Sequence, residues 1–217
     1  MPIRVNPWSI ALSMMTGDPR MLVGMQTHRK MESPWPETLW TIGHSTRALD
    51  EFIALLTANA IEVVADVRHF PGSRKYPHFN VEPLQHALRE AGIGYEPFTE
   101  LGGRRKVQPD SPNTAWRHPA FRGYADYMQT PEFHDGIERL KALAARKRTA
   151  IMCAEAVWWR CHRGLISDVF KLHGTRVLHI TGPGKPSEHP YTSAAHVENG
   201  KLDYSGDQRE LPIHPAH

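Results

Sequence analysis

Short apolar runs alternate with segments of helical periodicity along most of the chain, and this alternation constrains the fold more than any other feature. The runs are rich in bulky and β-branched residues, which is typical of strands covered on both faces. They lie at 39–42, 61–67, 94–98, 149–152 and 176–180. Strands that alternate with helices pair in parallel through right-handed crossovers. The sequence therefore predicts an α/β fold, a three-layer sandwich with a mostly parallel central sheet of four to five strands and helices on both faces.

The segments between these runs predict the helices. Ser45 or Thr46 is placed to cap the first helix, and Asn80 is placed to cap the second. Prolines in the first turn mark two further helices, at 119–128 and 131–146. A last helix begins near Cys161, where apolar residues resume the helical spacing.

The two ends of the chain differ in composition from the segment between them. Residues 1–35 have scattered prolines and methionines without a period, so we expect a disordered or loosely attached extension, with Met31 as an alternative start. Residues 36–181 predict a single α/β domain. Residues 182–217 predict a tail with a small hairpin, because Asn199-Gly200 is a strong turn pair. Histidines near the ends, His189 among them, are expected in solvated loops.

Composition narrows the class of protein. The chain has 217 residues, two cysteines and a net charge of +3. Two cysteines exclude a disulfide framework and fit a reducing cytoplasm. The small positive charge does not by itself indicate nucleic acid. No apolar run approaches the roughly 20 residues that cross a bilayer. We therefore expect a cytoplasmic protein without a membrane partner.

Polar and basic side chains follow the predicted strands, in loops that parallel pairing brings to one edge of the sheet. Ligand sites of parallel α/β proteins form at the carboxyl ends of the strands, so we expect these loops to bind a ligand. The predicted ligand-binding residues are Gly43, Ser45, Asp66, Arg68, Ser73, Arg74, Gly102, Gly103, Arg104, Trp158, Trp159, His162 and Arg163.

Both cysteines of the chain lie in one stretch, with Cys153 at the end of a predicted strand and Cys161 at the start of the next helix. Either can be a small core hydrophobe. Alternatively, Cys153, Cys161 and His162, with His44 as a further candidate, form a metal site, although their spacing matches no standard zinc pattern. Both interpretations stay open at this point.

A third interpretation makes Cys161 a nucleophile, because the helix start and Arg160 or Arg163 would stabilise its thiolate. His44 and Glu155 are the best candidates for proton transfer, since histidine titrates near neutral pH and both flank the same edge. The predicted catalytic residues are therefore His44, Glu155 and Cys161.

Four arginines would form an anion-binding set if the loops converge: Arg68, Arg74, Arg104 and Arg163. Arginine makes forked hydrogen bonds that suit phosphate. The alternative is that these arginines pair with acids of the same loops and hold the loops in place. Asp66 and Arg68 favour that alternative, because they lie on the same side of a strand.

An ordered set of motifs resembles a known family, the domain of unknown function 488. The motifs are TIGHS at 41–45, DVR with a following proline and serine at 66–73, LGG at 101–103, FRGYADYM at 121–128, CAE at 153–155 and CHR at 161–163. The resemblance covers roughly residues 39–181, and the segment 194–204 is also similar to the tail of longer members. It implies the fold and the place of the site, but no assigned activity. For that family, the cysteines have suggested metal or nucleic-acid binding.

The leading functional hypothesis is an enzyme-like pocket for a phosphate-bearing ligand, a nucleotide or nucleic acid. One of Trp158 and Trp159 would stack on the ligand, and the other would pack inside the protein. Hydrolysis or group transfer is favoured over redox chemistry, because no dinucleotide fingerprint is present. The alternatives are a non-catalytic nucleic-acid-binding module, which would add the basic residues 104–106 and 146–148, and a metal-binding protein that uses Cys153, Cys161 and His162. The sequence specifies no cofactor.

Overall fold

The structure is a computed structural model that describes residues 34–206. The expectations for residues 1–33, including the start at Met31, lie outside this part of the chain. All of the described residues belong to one compact unit.

A six-stranded mixed sheet forms the middle layer. Its spatial order is β3-β2-β4-β1-β5-β6. The first five strands pair in parallel, and β6 pairs antiparallel with β5. The strands are β1 Thr38–Gly43, β2 Val63–Asp66, β3 Gly94–Pro97, β4 Thr149–Cys153, β5 Arg176–Ile180 and β6 Ser187–Glu188. The predicted α/β fold is confirmed, and the sheet is one strand larger than expected because a two-residue edge strand follows β5.

Helices cover both faces of the sheet, as a three-layer sandwich requires. They are α1 Leu49–Ala58, α2 Val81–Glu90, α3 Pro119–Tyr127, α4 Pro131–Ala144 and α5 Arg163–Leu172. Helices α1 and α2 cover one face, and α3, α4 and α5 cover the other. Between residues 34 and 206, no helix is both long enough and apolar enough to traverse a lipid bilayer.

Two apolar cores result from this layering, one on each side of the sheet. Successive strand residues point to opposite faces, so Val63 and Ala65 enter the core under α3, α4 and α5, while Val64 enters the core under α1 and α2. This double burial explains why the strand sequences are nearly continuous apolar runs rather than alternating ones.

The capping predictions for the first two helices do not hold at the side-chain level. Ala48 is the N-cap of α1, and no side chain caps this helix. Ser45 instead has a φ of 50°, and its N–H group donates to the carbonyl of Ala154. Asn80 is the N-cap of α2, but its Oδ1 atom accepts from the N–H group of Ser73 at 2.6 Å. In both places the polar group binds a neighbouring loop rather than the helix.

The segment after β5 contains the predicted hairpin. Its strands are β7 His196–Glu198 and β8 Lys201–Asp203, joined by Asn199 and Gly200 with φ values of 50° and 72°. Tyr204 follows the hairpin and is buried in the core under α5. His189 is only 1% exposed, so its assignment to a solvated loop is wrong. The reason is its contact with buried Asp168, which is described below.

Candidate functional site

A cavity of about 720 Å³ opens at the carboxyl edge of the sheet. Loops that follow β2, β3 and β4 meet the start of α3 there, as the parallel pairing predicted. The cavity is lined by Arg68, His69, Phe70, Gly103, Arg104, His118, Ala120, Phe121, Tyr124, Cys153, Ala154, Glu155, Arg160, Cys161 and His162.

Both cysteines lie on the cavity wall beside a histidine. Cys153 ends β4, and Cys161 lies two residues before the start of α5. Both are free thiols. The sulfur atoms of Cys153 and Cys161 and a ring nitrogen of His162 all lie within 4.8 Å of one another. The structure therefore brings these three residues into one cluster.

The ring of His162 has a defined tautomer. Its Nε2 atom lies 3.0 Å from the carbonyl oxygen of Val67, and a carbonyl only accepts, so Nε2 carries the hydrogen. Its Nδ1 atom lies 3.7 Å from the sulfur of Cys161. A Cβ atom on Gly103 would lie 2.9 Å from this Nδ1 atom, so glycine leaves room for the ring. The lone pair of Nδ1 thus faces the thiol of Cys161 and can take its proton.

The two thiols differ in acidity. The hydrogen bond to Cys161, followed by burial, raises the pKa of Cys153. Burial alone would also raise the pKa of Cys161, but the hydrogen bond from Cys153 and the neighbouring Arg163 and His162 lower it below its ordinary value. Cys161 is therefore the more acidic of the two thiols.

Arg163 is fixed behind the thiol. Its side chain is buried and donates from Nε to the sulfur of Cys161 at 3.4 Å and from Nη2 to the carbonyl of Glu155 at 2.6 Å. The Glu155 carbonyl can approach because residue 43 is glycine, whose Cβ, if present, would overlap that oxygen. The guanidinium thus faces the thiol and the backbone, and Arg163 is absent from the cavity lining.

Arg68 forms an ion pair with Asp66, as expected if the arginines hold the loops in place. Its guanidinium donates to both carboxylate oxygens of Asp66, at 2.6 to 3.0 Å, and to the carbonyl of Phe79 at 2.8 Å. Tyr95 donates to the same carboxylate at 2.7 Å. The positive charge of Arg68 is therefore largely compensated, although the side chain still lines the cavity.

His44 lies next to Arg68 but not on the cavity wall. Its Nε2 atom is 3.5 Å from Nη1 of Arg68, its Nδ1 atom is 3.0 Å from the carbonyl of Ser45, and its ring stacks on Phe79. Burial, then the charge of Arg68, lowers the pKa of His44 to about 4. His44 is therefore neutral at pH 7. Its proposed part in proton transfer stays a prediction.

Charged groups surround the mouth of the cavity. Arg104, Arg160 and Glu155 are exposed there. The ion pairs within residues 34–206 include neither Arg104 nor Arg160. Arg104 lies 5.7 Å from the centre of the Phe70 ring, which is 64% exposed. The mouth thus presents two arginines and an aromatic face to a ligand.

Several residues of the predicted site lie elsewhere. Ser73 and the exposed Arg74 do not line the cavity. Trp158 stacks on His179 with ring centres 4.6 Å apart, and Trp159 is 56% exposed. The backbone N–H group of Ser45 is used by Ala154, as described above. Gly102 contacts His69, where a Cβ atom would lie 2.7 Å from the His69 Cα atom.

The basic residues needed by a nucleic-acid-binding module are partly engaged within the protein. Arg105 donates to the carbonyls of Gly102 and Glu100 and lies over the ring of Tyr127. Arg148 donates to two carbonyls after α1 and lies over the ring of Trp40. The module stays a prediction, without a structural feature in residues 34–206 that favours it.

Sequence reasoning missed part of the cavity lining and the residues behind it. The missed lining residues are His69, Phe70, His118, Ala120, Phe121, Tyr124 and Ala154. The buried residues behind the cysteines are Thr41, Asp168, His179 and His189. A usable signal existed for His179, because an ionisable residue in the middle of an apolar strand needs a partner.

A comparison with models of known protein families shows which family the chain is related to. A family model described as Domain of unknown function DUF488 matches residues 48–170, more than half of the chain. The chain belongs to the DUF488 family. The matched segment contains both cysteines, His162 and the loops around the cavity, whereas β1, β5 and the hairpin lie outside it. No curated protein and no solved structure matches the chain. The match confirms the resemblance that the motifs indicated, and the DUF488 description assigns no reaction to the chain.

Proposed function

We propose that this DUF488 protein is an enzyme in which Cys161 acts as the nucleophile in hydrolysis or transfer of a group from an anionic, phosphate-bearing small molecule. One observation carries the proposal: the sulfur of Cys161 lies on a cavity wall, within 3.7 Å of His162 Nδ1 and 3.4 Å of Arg163 Nε. A base for the thiol and a cation for the thiolate are the two means by which enzymes activate cysteine.

The chemistry follows from these neighbours. His162 accepts the thiol proton at Nδ1 while its Nε2–H group remains on the Val67 carbonyl. The thiolate then forms a bond to the electrophilic atom of the substrate, and the bond to the leaving group breaks. The imidazolium of His162 returns its proton to the leaving group. In a second step, water or an acceptor cleaves the sulfur–substrate bond, and His162 or the exposed carboxylate of Glu155 takes the proton.

The charge at the mouth supports an anionic substrate. Arg104 and Arg160 are exposed at the cavity and form no ion pair with any acid in the described range. A phosphate would accept forked hydrogen bonds from such guanidiniums. The exposed ring of Phe70 offers a stacking surface, which favours a nucleotide over a small inorganic ester. A cytoplasmic location, where both thiols stay reduced, fits this chemistry and is part of the proposal.

A screen of nucleotides and phosphorylated metabolites tests the proposal. A ligand that binds the folded protein should raise its melting temperature. The double variant Arg104→Ala/Arg160→Ala should lose that shift, whereas Arg176→Ala, at an exposed position of β5 outside the cavity lining, should keep it. Turnover of the ligand should disappear in Cys161→Ser while the melting temperature stays near that of the wild type. Turnover that survives in Cys161→Ser would contradict a nucleophilic role.

A second candidate function is metal binding, because the Cys153, Cys161 and His162 donor atoms lie within 4.8 Å of one another. The Nε2–H bond of His162 to the Val67 carbonyl is the contact that metal-binding histidines commonly make through their second nitrogen. Two thiolates and an imidazole fit Zn²⁺, with a fourth position open to the cavity. Elemental analysis of the purified protein decides this candidate, since less than about 0.1 metal per chain would remove it.

A further inference from the structure

A line of buried polar side chains extends from Cys161 to the far side of α5. Asp168 accepts from Nε2 of His189 at 2.9 Å, and Nδ1 of His189 lies 2.9 Å from Nε2 of His179. Nδ1 of His179 lies 2.7 Å from the hydroxyl of Thr41. These residues come from α5, the segment after β6, β5 and β1, so the line crosses the molecule between four parts of the chain.

Arg163 joins this line to the thiol. Its Nη1 atom donates to the hydroxyl oxygen of Thr41 at 3.4 Å, and its Nε atom donates to the sulfur of Cys161, also at 3.4 Å. A continuous hydrogen-bonded chain therefore links the carboxylate of Asp168 to the sulfur of Cys161. Thr41, His179, His189 and Asp168 are each at most 1% exposed, so water cannot replace a missing link.

The direction of every bond in the chain is determined. Among residues 34–206, the hydroxyl of Thr41 has two partners, Arg163 and His179. Arginine only donates, so the hydroxyl hydrogen must point to Nδ1 of His179. His179 then carries its hydrogen on Nε2 and donates to His189, which in turn donates from its own Nε2 to the Asp168 carboxylate.

Two further observations agree with this assignment. Burial is the largest cause that lowers the pKa of His179, to about 2, so the His179 ring stays neutral at any physiological pH. Asp168 also accepts from the backbone and hydroxyl of Thr192 and from the hydroxyl of Tyr204, at 2.6 to 2.9 Å. Asp168 therefore ends the chain as the acceptor of four hydrogen bonds, counting the one from His189.

The chain connects a buried cation to a buried anion. A buried guanidinium needs hydrogen-bond acceptors in place of the water that its N–H groups lose on burial. Cys161 compensates Arg163 on one side, and Thr41, polarised by the imidazoles and Asp168 behind it, compensates on the other. Together with the Glu155 carbonyl, the hydroxyl of Thr41 therefore fixes how the guanidinium is rotated, and this rotation decides whether Nε points at the sulfur.

We infer that Thr41, His179, His189 and Asp168 are positioning residues for Cys161, which act by holding Arg163 against its sulfur. The inference deepens the proposed function, since it rests on Cys161 as the reactive group. It also implies that the segment 187–204, which lies outside the matched DUF488 segment, takes part in assembling the reactive centre through His189, Thr192 and Tyr204.

Thr41→Val tests the inference, because valine keeps the shape of threonine and removes only the hydroxyl. Thr41→Ser restores the hydroxyl. Thr149→Val makes the same change at a buried threonine of the neighbouring strand, whose hydroxyl donates to the Lys147 carbonyl at 2.9 Å. The measurement is the rate at which iodoacetamide alkylates Cys161 at pH 6 with a chelator present, followed by peptide mass spectrometry. The melting temperature of each variant is recorded beside it.

We expect Thr41→Val to alkylate about five- to tenfold more slowly than the wild type, because Arg163 Nε is no longer held against the sulfur and a neighbouring cation is what makes a thiol reactive. Thr41→Ser should stay within about twofold of the wild type, because serine keeps the hydroxyl that accepts from Arg163. Thr149→Val should leave the rate unchanged. An unchanged rate in Thr41→Val, or an equal slowing in Thr149→Val, would overturn the inference.

Alkylation needs no substrate, so the two proposals fail separately. If the variants show the expected alkylation rates but no ligand is turned over, the proposed enzymatic function is rejected and the positioning role of the hydrogen-bonded chain stands. If turnover depends on Cys161 but is unchanged in Thr41→Val, only the positioning role of the hydrogen-bonded chain is rejected.

Discussion

Arg163 donates from Nε to the sulfur of Cys161, at 3.4 Å, although the two residues are only two positions apart in the chain. The contact is possible because Cys161 is still extended, with φ −136° and ψ 145°, when the chain turns into α5. The side chain of Arg163 therefore folds back toward the residue that precedes the helix. The local backbone thus pairs a thiol with a cation, and the Glu155 carbonyl and the Thr41 hydroxyl complete the contacts of the guanidinium.

Replacing Arg163 by lysine should destabilise the protein although the charge is kept. Lysine has one nitrogen and cannot reach Cys161, the Glu155 carbonyl and Thr41 together. We expect a loss of about 2–3 kcal/mol in the free energy of unfolding, because hydrogen bonds that involve charged groups are each worth about 1.5–3 kcal/mol. Urea denaturation measures it. Arg176→Lys is the matched control, since its bridge to Glu188 is more than half exposed, and a similar loss there would contradict the explanation.

Gly43→Ala should disturb the site more than any other single-methyl change at its edge. The added Cβ would overlap the carbonyl oxygen of Glu155, which Arg163 holds in place. We expect a loss of about 1–3 kcal/mol or more, as in other overpacked interiors. Gly72→Ala provides the comparison, because a Cβ there meets nothing within 4 Å. Equal melting temperatures for the two variants would contradict the prediction, because they would mean that the Glu155 loop moves aside without cost.

Asp66→Asn should break the loop after β2. It removes the charge that pairs Arg68 and leaves a guanidinium that is 5% exposed beside a neutral amide. Loss of one partner from a buried ion pair costs about 3–5 kcal/mol. Glu100→Gln is the control, because its partner Arg139 is about half exposed and such pairs contribute about 0–1 kcal/mol. The prediction fails if both variants unfold at the same urea concentration.

Stability should fall between pH 7 and pH 5. Burial lowers the pKa of His44 to about 4 and that of His179 to about 2, from an ordinary value of 6.5. Below pH 6.5 both histidines therefore bind protons in the unfolded chain but stay neutral in the folded chain, so the free energy of unfolding decreases as the pH falls. Each histidine should remove about 2 kcal/mol by pH 5.

Urea denaturation at the two pH values measures this loss, and single variants assign it. His44→Gln and His179→Gln should each show a smaller dependence on pH than the wild type, whatever their stability at pH 7. His86→Gln, at an exposed position in α2, should keep the full dependence. A wild-type protein that is equally stable at pH 7 and pH 5 would contradict the neutral, buried state of both rings.

The layers of the fold were predictable because each apolar run is buried on both faces and each helix shows one apolar side. Residues 63–66 illustrate this, since both cores take side chains from the same strand. The edge strand β6 was not predictable. It has two residues and pairs through Leu178 and His179 of β5, so tertiary contacts rather than local propensity create it.

The site was predictable only to the level of the loops. Parallel pairing does bring Arg68 and Cys161 to one cavity, and His44 reaches Arg68. The spacing of Asp66 and Arg68 did favour their ion pair, which the structure shows. The sequence did not specify that the ion pairs within residues 34–206 would leave out Arg104 and Arg160, because such pairs depend on contacts between distant segments. The chain from Asp168 to Thr41 joins residues far apart in sequence, so no local pattern contains it.

The hydrogen bonds of Tyr204 and Thr192 to Asp168 have a consequence during protein synthesis. A ribosome releases the chain from its amino end, so both cysteines, the arginine behind them and the whole of α5 emerge before the last partners of that carboxylate. Until residue 204 leaves the ribosomal exit tunnel, Asp168 lacks its hydrogen bond from Tyr204. The environment of the Cys161 thiol should accordingly be completed late in synthesis, when residues 189–204 fold against Asp168, and not when α5 forms.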